Sequence, residues 1–116
     1  MQVTRLIEAP RYEAPEHFDM ACFRLQGREA SRTKAMWMGL SHLLPGGRTS
    51  LKGSSQEKIY LVIEGKVVVR TDSGEATLGP MDSCVLAPGE ARALENRTTR
   101  PATILLVMEE ATAQST

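Results

Sequence analysis

The chain has 116 residues, enough for one packed core and too few for two, so a second catalytic domain is excluded. Apolar residues make up 41% and charged residues 24%, and fourteen basic side chains balance fourteen acidic ones, which argues against disorder and against a surface built for nucleic acid. No apolar run approaches the roughly 20 residues of a membrane span, and MQVTRLIEAP lacks the basic-then-apolar layout of a secretion signal, so no membrane partner and a cytoplasmic location are expected.

In chain order, residues 1–18 read as an N-terminal strand and a Pro-containing arm, because EAPRYEAPEHF carries two prolines and no clean periodicity. His17 lies in this polar arm and is expected to be exposed. AMWMGLSHLL, residues 35–44, alternates, with Met36, Met38, Leu40 and His42 on one face and Trp37, Gly39 and Ser41 on the other. Alternation does not say which face is inside. With the even-numbered face inside, Met36, Met38 and His42 would form an adaptable apolar wall with one group titrating near neutrality.

Turn residues then recur at short intervals: Pro45-Gly46-Gly47, Gly53, Gly65, Asp72-Ser73-Gly74, Gly79-Pro80 and Pro88-Gly89. Between them, KIYLVI, KVVVRT, SCVLA and ATILLVM are rich in β-branched residues, and Glu64-Gly65 and Asp72-Ser73-Gly74 read as tight hairpin connections. The pattern predicts an all-β sandwich or barrel over residues 19–109, followed by a flexible tail, 110–116. Ile59 to Ile63 and Ile104 to Met108 are apolar on both faces, so a second copy or the arm is expected to cover the outer face, and a homodimer is expected. Cys22 and Cys84 form no metal-finger spacing with His17 and His42 and read as reduced core residues.

Residues 45–69, PGGRTSLKGSSQEKIYLVIEGKVVV, resemble the first signature of the cupin family, and residues 78–96, LGPMDSCVLAPGEARALEN, resemble the second. The resemblance implies a single-domain jelly-roll β-barrel of two antiparallel sheets. Counting back from Gly65, it puts Lys58 at the family's glutamate position and Lys52 and Ser54 at its two histidine positions, while Arg92 takes the third histidine and Asn96 the asparagine. Metal-dependent relatives hold a divalent ion on those histidines and that glutamate. Ammonium and guanidinium groups have no lone pair to give, so no metal and no cofactor are expected, and the substitute set His42, Gln56 and Glu57 is a poor ligand team.

The resemblance implies instead that Lys52, Lys58 and Arg92 converge in the barrel mouth as a seat for a small anionic metabolite. Ser54, Gln56, Tyr60, His42, Met36, Met38 and Asn96 are the expected ligand-binding residues around it. Crowded cations call for relief, from a ligand, from an acid such as Glu57 or Glu90, or by loss of a lysine proton; Glu90 or Asp82 could equally pair with Arg92. The expected activity is that of a metal-independent isomerase, tautomerase or lyase of a small keto or hydroxy acid. Arg92 clamps the carboxylate, one lysine takes a proton alpha to the carbonyl, and the remaining cation stabilises the enolate. The alternative is a non-catalytic binding or sensing module acting through a protein partner.

Overall fold

Short runs of β-branched and aliphatic residues between turn residues give nine strands and, among the described residues, no α-helix. The structure, a computed structural model, describes residues 1–110. The strands are β1 (Arg11–Tyr12), β2 (His17–Gln26), β3 (Met36–Thr49), β4 (Lys58–Glu64), β5 (Val67–Thr71), β6 (Gly74–Leu78), β7 (Ser83–Leu86), β8 (Arg92–Glu95) and β9 (Ala102–Glu109). All pairings are antiparallel, and the sheet runs β6-β5-β8-β3-β9-β4-β7, with β2 also on β3 and β1 on β2. The result is a nearly closed jelly-roll barrel. The two expected sheets are joined into one, because β3 pairs with β2 and β9 along most of its length and with β8 at Arg48.

β3 runs through Pro45-Gly46-Gly47 where a break was expected. The triplet forms a bulge: Met20 faces Leu43 and Phe18 faces Arg48, so Leu44 to Gly47 stand against Asp19 alone. A Cβ on Gly47 would sit 2.6 Å from the Asp19 carbonyl oxygen. The expected hairpin at Asp72-Ser73-Gly74 is present, with Thr71 facing Gly74. The one at Glu64-Gly65 is not, because β4 pairs with β7 and β9 whereas β5 pairs with β6 and β8, so this turn carries the chain across the barrel. Gly65 has φ +83° and lies against Pro101 and Ala102, where a Cβ would meet backbone at 2.8 Å.

Inward residues of β3, β9 and β4 line up in rows. Trp37, Met108 and Lys58 form the row at one end; Gly39, Leu106 and Tyr60 form the next; Ser41, Ile104 and Val62 follow. The core proper, with Leu43, Val62, Val67, Leu94, Ala102 and Ile104, fills the other end. Asn96, 1% exposed, closes it: its amide donates to the carbonyls of Leu43 and Arg100, and its oxygen accepts from the Thr98 amide and hydroxyl. This corrects its place among the ligand-binding residues. It fastens the β3 bulge and lines no cavity at the barrel mouth.

Glu110, at the start of the expected tail, is docked, its amide donating to the Ala35 carbonyl and its carboxylate paired with Arg28 at 2.9 Å. Residues 111–116, the rest of that tail, lie outside the described residues. No helix of the described residues is long and apolar enough to cross a membrane.

Candidate functional site

A cavity of about 300 Å³ opens at the barrel end marked by the Trp37, Met108 and Lys58 row. Alternation along β4 turns Lys58 and Tyr60 inward, and β8 supplies Arg92. The loop between β3 and β4 supplies Lys52, Gly53, Ser54 and Gln56, held down where the Gly89 amide donates to the Ser54 carbonyl at 2.6 Å. Six consecutive residues of the arm, Tyr12 to His17, form the remaining wall. They are fixed by β1 on β2, by the Arg24 amide on the Pro10 carbonyl at 2.8 Å, and by the Ser50 amide on the Glu16 carbonyl at 3.1 Å.

Lys52, Ser54, Gln56, Lys58, Tyr60 and Arg92 all line this cavity. Met36, Met38 and His42 do not. The odd-numbered face of β3 is inside, so Trp37 is 5% exposed and reaches the cavity, whereas Met36 is exposed and the His42 ring bonds Thr103 across the opposite face. The substitute metal set with His42 therefore does not assemble.

The cations are held in different ways. Arg92, 8% exposed, donates from Nη1 to the Lys52 carbonyl and from Nη2 to the Tyr60 hydroxyl at 3.3 Å, while its buried Nε–H has no partner among the described residues. Neither Glu90 nor Asp82 pairs with it; those carboxylates accept from the Ala87 and Gly79 amides. Lys52 is half-exposed and sits 3.4 Å from the Glu16 carboxylate, so the relieving acid comes from the arm and not from Glu57 or Glu90. Lys58, 9% exposed, has no hydrogen bond or ion pair among the described residues. Burial, reinforced by Arg92 and Lys52, lowers its pKa to about 8. Burial also keeps the Tyr60 hydroxyl protonated well above the ordinary phenol value.

Arg24, Tyr12, Trp37 and His17 are among the wall residues that were not foreseen. Arg24 stacks its guanidinium 3.5 Å from the Tyr12 ring centroid and 4.4 Å from that of Trp37, with Nε donating to Glu29 at 2.9 Å. Tyr12 and Trp37 meet edge to face. His17, expected to be exposed in the arm, lines the cavity, its Nδ1 2.7 Å from the Pro15 carbonyl oxygen. The sequence signal for these was weak: Tyr12 and His17 lie within a two-proline arm whose docking only the register of β1 on β2 reveals.

The metal site implied by the family resemblance fails on donor chemistry. Lysine at two of its positions, serine at another and arginine at the fourth offer no imidazole or carboxylate, and the described residues contain no cluster of three His, Cys, Asp or Glu able to hold an ion. The arrangement can neutralise an anion, donate hydrogen bonds from Arg92 and Trp37, and exchange protons at Lys58 and His17.

A cupin domain model matches residues 39–108. The "Beta-D-galactosidase Rv1717" of Mycobacterium tuberculosis (strain ATCC 25618 / H37Rv) is 44% identical over 114 residues, covering 98% of each chain. A crystal structure of a sugar phosphate isomerase from a cupin superfamily, from Silicibacter pomeroyi, is 26% identical with a TM-score of 0.78, covering 92% of this chain and 74% of that one. The polyketide cyclase RemF of Streptomyces resistomycificus, 16% identical with a TM-score of 0.83 over 94% and 79% of the two chains, shares the fold. The chain belongs to the cupin family.

Proposed function

We propose that this chain is a metal-independent enzyme that holds a small organic anion of monosaccharide size, a sugar acid or sugar phosphate or a similar keto or hydroxy acid, and isomerises or eliminates it by proton transfer. The observation that carries the reading is Lys58: a buried lysine with no acidic partner among the described residues, facing a cavity it shares with Arg92 and Lys52. An anion in that cavity relieves the repulsion among the three cations, and at the pH where Lys58 titrates it both seats the ligand and exchanges protons with it. Arg92 and Lys52 hold the carboxylate or phosphate, and the Tyr60 hydroxyl, fixed by Arg92, is a second neutral donor. The cavity volume suits a single hexose-sized unit.

The test is incubation of the chain, prepared with chelator, with small sugar acids and sugar phosphates, read by proton NMR of the products and by thermal shift. Turnover that survives chelation and shows saturation supports the reading. Stabilisation without turnover supports the non-catalytic binding module instead.

A second reading is favoured by the galactosidase name of the 44% identical relative together with Glu13 and Glu16 in the cavity wall. Glycoside hydrolysis needs two carboxylates about the scissile bond. Three cations oppose an oxocarbenium-like transition state, which is why this reading stands second. Release of nitrophenol from a nitrophenyl β-D-galactoside, lost in Glu13→Gln or Glu16→Gln, would raise it to first.

The homodimer belongs with the proposal. Ile59, Ile63 and Val85 stand exposed on the outer face of β4 and β7, an apolar face suited to a second copy. Sedimentation at micromolar concentration, giving a dimer mass for the chain and a monomer for Ile59→Lys, checks it.

A further inference from the structure

We infer that His17 is a catalytic residue of this cavity, the neutral base that takes the carbon-bound proton of the ligand; the inference rests on the proton-transfer reading above. Its carrier is tautomer geometry. The Pro15 carbonyl oxygen can only accept a hydrogen bond, so the ring nitrogen 2.7 Å away, Nδ1, must carry the proton. In the neutral ring the lone pair is then on Nε2, which has no protein partner among the described residues. The local backbone is bent to make this contact. Glu16 adopts φ +57°, a left-handed conformation that folds the chain back so that the His17 ring meets the carbonyl of the residue two before it.

The surroundings suit a base. The groups facing His17 are Lys52, Lys58 and Arg92 from the barrel, with Glu13 and Glu16 of its own arm in the same wall. Burial holds the imidazolium form down, the Pro15 carbonyl acts the other way, and the three cations add to the burial, so the net shift favours the neutral ring. The other side-chain nitrogens of the cavity, those of Arg24, Trp37, Lys52, Gln56, Lys58 and Arg92, are donors, Lys58 as its ammonium; His17 brings a lone pair that needs no prior deprotonation.

The step closes as follows. The C–H bond alpha to a carbonyl breaks, and its proton forms an N–H bond at Nε2. The C–H pair becomes the new C=C bond, and the carbonyl π pair passes to oxygen, giving an enolate that the Lys58 ammonium holds. The imidazolium then returns a proton to the enolate carbon, and in D₂O the returned isotope is deuterium.

Two measurements on the full chain test this. Nitrogen-15 NMR of the histidine rings, with His42 assigned through His42→Gln, should show His17 neutral at pH 7 with Nδ1 protonated and an apparent pKa under the ordinary histidine value. Mixed tautomers titrating as a free histidine overturn the inference. Galacturonate and fructose 6-phosphate are then incubated in D₂O, and deuterium next to the carbonyl is followed. His17→Gln should slow exchange by about 10²-fold or more while leaving thermal stabilisation by the same compound within about twofold, and the acid limb of the unaltered chain's pH profile should vanish in the variant's residual rate. Exchange that persists in His17→Gln, or binding that falls in step with exchange, overturns the assignment of His17 alone. No exchange with either compound in the unaltered chain overturns the proton-transfer reading and the assignment together.

Discussion

The two ends of one barrel differ more than its two faces. At the closed end the rows contain Ile104, Val62, Leu43 and Ala102, and the buried polar residue, Asn96, satisfies both its amide and its oxygen. Two rows further along the same strands, about 14 Å by strand rise, stand Lys58 and Trp37, with Arg92 of β8 beside them; among the described residues Lys58, the Arg92 Nε–H and the Trp37 indole N–H have no partner. The dry end supplies the packing that fixes the register; the wet end uses that register to hold like charges together. Stability and function are separated along the strand axis, and substitutions at the two ends should report on different quantities.

The largest separation is expected at Lys58. Lys58→Met should lower turnover of any accepted acid by at least about 10²-fold while the chain becomes more stable, because a buried, unpaired charge is replaced by an apolar side chain of similar length. A loss of both activity and stability would place Lys58 in the packing and not in the site.

At the opposite end, Asn96→Ala should destabilise by about 3 kcal/mol, leaving the Leu43 and Arg100 carbonyls and the Thr98 amide without their partner, with KM little changed. Urea denaturation reads it.

The third contrast is pH-dependent. Lys58 has a pKa of about 8 in the folded chain and 10.5 as its ordinary value. A depressed lysine binds its proton less well folded than unfolded, so its burial penalty is full below about pH 8. Between 8 and 10.5 the folded chain has already released the proton, and stability rises with pH through that window. Tyr60 and Cys22, which are buried, and Tyr12 and Cys84, which are half-buried, have pKa values raised mainly by desolvation and act in the opposite direction there. Comparing the chain with Lys58→Met cancels them: the variant's advantage should be about 2 kcal/mol at pH 7, allowing for solvent at the cavity mouth, and should close by pH 10.5. A gap that stays constant with pH would mean that Lys58 is not the source.

The smallest effect is expected at the rim. Glu16→Gln removes a half-exposed partner of Lys52 and should change stability by less than about 1 kcal/mol, yet tighten binding of a carboxylate severalfold by freeing that lysine, measured by calorimetry.

Part of the site was legible in the sequence because turns and strand alternation are local. Gly65 fixes the phase of β4, so Lys58, Tyr60 and Val62 share a face, and ARALEN fixes the phase of Arg92, Leu94 and Asn96. The same local rule grouped Arg92 with Asn96 but could not show that β8 runs from the cavity to the closed end, so one lines the site and the other caps the core. For β3 the rule grouped Met36, Met38 and His42 correctly and was silent on direction, since both faces of that strand carry apolar residues.

By itself, then, the sequence determined the strand class of the chain and the hairpin at Asp72-Ser73-Gly74, which depend on residue type and on spacing within a few positions, while the family resemblance pointed to the lack of a metal-ligand set and to the cationic trio. Only the tertiary structure decided that Trp37 and not Met36 faces inward, that Glu64-Gly65 crosses the barrel, that Glu16 answers Lys52, and that the arm brings Tyr12 and His17 into the cavity wall. Each of these is a matter of which distant strands exchange hydrogen bonds. A strand's own alternation is unchanged by turning it over, and only the register against its neighbours breaks that symmetry.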